Sequence, residues 1–195
     1  MAQYVDPIVT KSKFKNEIDN YIKNEHLYRN LGVICTGINF EENSIMLLFA
    51  ASNLKFNPIV FSILIDYSNW DVEPPSVKFI NPFSHELLKR NEIHIQFYQK
   101  KNEIVRILPN GSIAEPDILQ GSPDAVPFLC IPGVKEYHDH PAHTGDFWML
   151  LREKGEGKLC TLIEQIYNHS INQIGGYMIN LNPFIAGFQT DIRKL

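Results

Sequence analysis

At 195 residues, with 44% hydrophobic and 21% charged side chains, the chain has the make-up of a single globular domain over 1–195 that can bury a core. A net charge of −4 speaks against a general nucleic-acid binder, which needs a basic face. No apolar run reaches the roughly 18 residues that span a bilayer, and no charged-then-apolar start suggests a signal peptide, so a cytoplasmic protein without a membrane partner is expected. The first predicted element is a helix over 12–29, where Phe14, Ile18, Tyr21, Ile22 and Leu27 recur at roughly helical spacing between Lys and Glu. Gly32 follows and suits the left-handed position that ends a helix.

Three β-rich runs come next, at 33–35, 44–50 and 58–66, separated by polar breaks short enough for hairpins. Strands joined in this way form an antiparallel meander. Pro74 and Pro75 then forbid a helix and direct the chain into a fourth short strand over 77–80. Residues 84–126 read as an insertion, with a hairpin pairing 94–98 to 103–107 around Gln99, Lys100, Lys101 and Asn102. Turn signals stand at Pro109, Asn110 and Gly111 and again at Gly121 to Asp124. A last helix is predicted over 158–168, carried by Leu159, Leu162, Ile163, Ile166 and Tyr167. Beyond it, Gly175 and Gly176 read as a turn, and Asn182, Pro183 and Phe184 lie in the tail.

The order of helix, meander and then Glu73-Pro74-Pro75-Ser76-Val77-Lys78-Phe79 resembles the front half of ubiquitin-conjugating enzymes and their inactive relatives. The resemblance covers about 12–83. It implies an α+β fold of the ubiquitin-conjugating type: an N-terminal helix, a four-stranded antiparallel meander, an active-site segment and C-terminal helices. In that superfamily the catalytic cysteine follows the fourth strand and precedes the next helix, which is the place of Cys130 here.

The segment 130–148 carries the chemistry. Three of the seven histidines, His138, His140 and His143, fall within six residues, close to Cys130 and several carboxylates. The other cysteines, Cys35 and Cys160, sit inside apolar patterns and read as small buried hydrophobes. Three cysteines without repeated spacing read as thiols in a reducing compartment.

Two functional readings follow. In the first, the resemblance implies a conjugating enzyme. Cys130 accepts the C-terminus of a ubiquitin-like protein as a thioester from an activating-enzyme-like partner and transfers it to a target protein, with no cofactor. The His-Pro-Asn signature that precedes the cysteine in conventional members is missing. The chain is similar instead to divergent bacterial members, some from antiphage defence systems, with histidines after the cysteine. There His138, His140 or His143 takes over the work of the asparagine. In the second reading Cys130, Glu136, His138 and His143 bind zinc, in a run that also resembles a bacterial predicted metal-binding domain named for those four residue types. On a strand, His138 and His140 would share one face. A likeness to the His-x-His-x-Asp-His of metallo-β-lactamases fails, because Ala142 stands where aspartate is needed. An inactive adaptor of the same fold is the third possibility.

Overall fold

Asp6 and Pro7 start the first helix earlier than the apolar spacing suggests. In the computed structural model, which describes residues 5–98, 106–107, 113–114, 117–143 and 145–176, α1 spans Pro7–Asn30. Asp6 Oδ1 accepts a hydrogen bond from Ile8 N at 2.8 Å, and Pro7 sits where its missing N–H costs nothing. The buried stripe runs through Thr10, Phe14, Ile18, Tyr21 and Tyr28. Ile22 and Leu27, expected in it, are half exposed, since the 100° step per residue turns them to its side and its back. Gly32 ends the helix at φ +85°, and a Cβ there would lie 2.2 Å from the Ala50 carbonyl oxygen, so glycine is required.

The meander forms as expected. Strands β1 (Val33–Asn39), β2 (Ser44–Ala50), β3 (Ile59–Asp66) and β4 (Ser76–Ile80) pair antiparallel in the order 1-2-3-4. The register sets Val33, Phe49 and Phe61 in one row, Leu47, Ile63 and Phe79 in the next, and Ile45, Ile65 and Val77 in a third. All nine are buried, so one face of the sheet is the core. Phe14, Ile18 and Tyr21 of α1 join that core, together with Leu159, Leu162, Ile163 and Ile166 of α4 (Leu159–His169). Glu17 ties the two helices, its carboxylate accepting from Leu159 N at 3.0 Å in the first turn of α4. The chain is thus α+β, with an N-terminal helix, a four-stranded antiparallel sheet and C-terminal helices.

The described residues of the 84–126 stretch contribute side chains to the core. Phe97 is fully buried, its ring 5.3 Å from that of Phe61 and 5.5 Å from that of Phe79. Ile93, Ile118 and Leu119 also enter the core. The expected hairpin is differently paired. Of 94–98, only Tyr98 makes a bridge, to Asp117, while β5 (Arg106–Ile107) pairs with β6 (Ile113–Ala114). Residues 99–105 and the turn signal at Pro109, Asn110 and Gly111 lie outside the described residues. Then β7 (Leu119–Gln120) pairs antiparallel with β8 (Phe128–Leu129). Gly175 and Gly176 are the last described residues, so a turn centred on them, like Asn182, Pro183 and Phe184, reaches outside the described residues. Among the described residues no helix is long and apolar enough to cross a membrane.

Candidate active site

β8 delivers Cys130. Leu129 is fully buried, and Cys130 N donates to the Ile118 carbonyl at 2.7 Å, so the backbone of the cysteine is fixed while its side chain is partly exposed. Three residues on, Gly133 packs so closely that a Cβ would stand 2.7 Å from Gly157 N. The chain then forms a short helix, α2 (Lys135–Asp139), where a strand was considered. His138 and His140 therefore do not share a strand face: His138 belongs to the helix and His140 follows its end.

Five residues cannot hold a helix by propensity alone, and α2 is held by polar ties to β4 and the turn before it. Lys135 N donates to the Pro75 carbonyl at 2.9 Å, and Lys135 Nζ pairs with Glu73 at 2.8 Å. The Glu136 carboxylate accepts from the Ser76 hydroxyl, from Val77 N at 3.2 Å and from Lys78 Nζ at 2.6 Å. The far end of the segment is anchored by α3 (Trp148–Arg152), whose Trp148 Nε1 donates to the Asp71 carbonyl at 2.9 Å. Trp148 is buried against Trp70 and Leu151 packs on the core, whereas their neighbours Phe147, Met149 and Leu150 face solvent.

Between these supports Cys130 meets one of the three histidines. Its Sγ lies 3.3 Å from His143 Nε2. The other ring nitrogen of His143, Nδ1, is 3.4 Å from Asp146 Oδ2. Asp146 also accepts the hydroxyl of Tyr137, whose ring lies over that of His143 at 3.8 Å and 25°. His138 does different work: its Nδ1 contacts the Asp146 carbonyl at 3.0 Å and its Nε2 the Pro132 carbonyl at 2.8 Å. It straps the loop after Cys130 to the loop after His143. His140 is exposed, with its ring 5.4 Å from that of Phe128 and 5.9 Å from that of His143.

The electrostatics fit a nucleophile that waits for a base. Burial pushes the Cys130 thiol above its ordinary value, which leaves it protonated at rest. The thiolate is the reactive form of a cysteine, so a nucleophilic Cys130 would need an acceptor for its proton, and His143 Nε2 is the imidazole nitrogen within reach. The Tyr137 hydroxyl, and after it His143, hold the Asp146 carboxyl below its ordinary value, so it meets His143 as an anion.

The zinc set fares less well as a donor set. Cys130 and His143 stand together, but Glu136 is committed to Ser76, Val77 and Lys78, and both nitrogens of His138 face carbonyl oxygens. Among the described residues no group of three or more His, Cys, Asp or Glu is gathered as for a metal ion. The four candidates do not meet around one point unless Glu136 leaves Ser76, Val77 and Lys78 and His138 leaves its two carbonyls.

Sequence reasoning picked out Cys130, His138, His140 and His143 but passed over Asp146 and Tyr137. The usable signal was the three-residue step from His143 to Asp146, which one turn closes: Asp146 N donates to the His143 carbonyl at 3.0 Å. Tyr137 gave none, since a tyrosine beside a histidine reads as packing. Compared with known proteins, residues 5–174 match the model of the Y4jH-like family, described as the Y4jH family. The chain is 32% identical over 193 residues to the uncharacterized protein y4jH of Sinorhizobium fredii (strain NBRC 101917 / NGR234), which spans 95% of this chain and 93% of that protein. With the match running from before α1 to beyond α4, and so through every residue of the site, the chain belongs to the Y4jH family.

Proposed function

We propose that the chain is a thioester carrier with a ubiquitin-conjugating-like fold. The observation that carries the reading is the 3.3 Å contact of Cys130 with His143 on a braced segment between the meander and α4. His143 takes the thiol proton, and the Cys130 thiolate attacks the thioester by which an activating enzyme holds a ubiquitin-like C-terminus. A carbon–sulfur bond forms to Cys130, the bond to the activating enzyme's sulfur breaks, and that sulfur leaves with the proton from His143. A target amine then attacks the same carbonyl. The amide forms, the bond to Cys130 breaks, and the amine's surplus proton passes through His143 to the released sulfur. Within this reading His143 is the base, His138 the strap and His140 a group at the rim that faces the incoming target.

The test is intact mass before and after incubation with a ubiquitin-like protein, its activating enzyme and ATP. A reducible adduct on the wild type, lost in Cys130→Ala, is the expected result. Native-mode mass on the same samples addresses the zinc alternative. One tightly held zinc that disappears in Cys130→Ala and His143→Ala, with no adduct, would overturn the carrier reading.

A further inference from the structure

We infer that Tyr137 and Asp146 complete the Cys130–His143 pair into a four-residue relay, in which Asp146 orients the base and Tyr137 is the positioning residue that holds both. This deepens the proposed use of the site but rests on geometry independent of any partner protein. If His143 Nε2 is to accept the thiol proton, the lone pair must be on Nε2 and the ring's own proton on Nδ1. Nδ1 faces the Asp146 carboxylate at 3.4 Å, and an acceptor at that atom selects this tautomer.

Asp146 alone is a poor guide, because its side chain is nearly half exposed and free to turn. Tyr137 removes that freedom. Only 9% exposed and seated on α2, it donates its hydroxyl to Oδ2, the same carboxylate oxygen that faces His143. Its ring covers one side of the imidazole. One buried side chain thereby fixes the rotamer of the carboxylate and the plane of the base. The backbone of Asp146 is held too, by His138 at its carbonyl and by the His143 carbonyl at its N–H. The relay is therefore built from the short helix outward: β4 holds α2, α2 holds Tyr137, and Tyr137 holds the pair that serves Cys130.

Two measurements on the full chain test this without an activating enzyme or a ubiquitin-like protein. The first is the rate of Cys130 alkylation by iodoacetamide near neutral pH, resolved from Cys35 and Cys160 by peptide mass. His143→Gln is expected to slow it about tenfold, since base assistance is lost while the fold stays. Asp146→Asn and Tyr137→Phe should slow it less, and Tyr137→Leu, which also loses the ring over the imidazole, more than Tyr137→Phe. The second is the nitrogen-15 imidazole spectrum of His143. The wild type is expected to show Nδ1 protonated and Nε2 bare, and Asp146→Asn and Tyr137→Phe to show a mixture of tautomers. An unchanged tautomer and unchanged alkylation in both variants would overturn the relay and leave the carrier reading standing. A missing thioester adduct in a protein that passes both measurements would do the reverse.

Discussion

The meander and the site segment are built by different physics. In β1 to β4 every second residue points into the core, and the rows Val33–Phe49–Phe61 and Leu47–Ile63–Phe79 are held by burial of apolar area. In 130–152 the two helices have five residues each, and what fixes them is a set of directed bonds to distant backbone: Lys135 to Pro75, Glu136 to Val77, Trp148 to Asp71. Burial is non-directional and tolerates small shifts, whereas hydrogen bonds fail within a few tenths of an ångström. The segment that sets a sulfur 3.3 Å from a ring nitrogen is thus hung from bonds, and the sheet supplies the fixed points.

That contrast can be broken by mutation. Phe79→Ala should have the largest effect, about 3–5 kcal/mol from cavity formation in the core, read as a thermal midpoint lowered by roughly 6–20 °C. The loss should be global, with the Cys130–His143 contact kept until the whole domain unfolds. Glu136→Ala should cost about 1–3 kcal/mol, since Val77 N loses its acceptor and Lys78 its partner. Unlike Phe79→Ala, it should loosen α2 first, so that protection of the 134–140 amides from hydrogen exchange falls more than that of β2 and β3. If both regions lose protection together, the division between scaffold and site is wrong.

Trp148→Phe keeps most of the ring and removes one bond to the Asp71 carbonyl, so a loss of about 1 kcal/mol in urea unfolding is expected. The smallest effect concerns Glu17. Burial raises its carboxyl above 4.5, the unperturbed value, so the folded state binds a proton that the unfolded chain has released. Its contribution is complete below pH 4.5 and fades as the pH climbs through the raised value. Glu17→Gln keeps an acceptor for Leu159 N and has no charge to bury. The two proteins should therefore match in acid, and the variant should be the slightly more stable one at neutral pH, measured as the difference in urea midpoint.

The difference in physics also explains what could be read in advance. The strands were legible because Ser44–Ala50 and Ile59–Asp66 are β-rich apolar runs bounded by polar breaks, and most of their residues are buried or half-buried. The density of histidines after Cys130 marked the site for a similar reason, being local in sequence. What stayed hidden depends on contacts across the fold. Helix α2 has no capping side chain and too few residues to announce itself, and is defined by Glu136 reaching sixty residues back to Ser76. Phe97 looked like part of an insertion because nothing in residues 84–126 says that one ring completes an aromatic cluster with Phe61 and Phe79. Ile22 and Leu27 misled because hydrophobicity was counted without its phase around the helix.

The bond between Glu17 and Leu159 has a consequence for how the protein is made. It joins residues 142 positions apart. At about 5–20 residues per second, α1 leaves the ribosome on the order of ten seconds before the first turn of α4 is synthesised. Through that interval the apolar stripe of α1 and the core face of the meander lack one of their covering layers. Nascent chains should therefore be most exposed to proteases and chaperones while they carry the meander but not yet α4, and should become resistant in one step as α4 arrives.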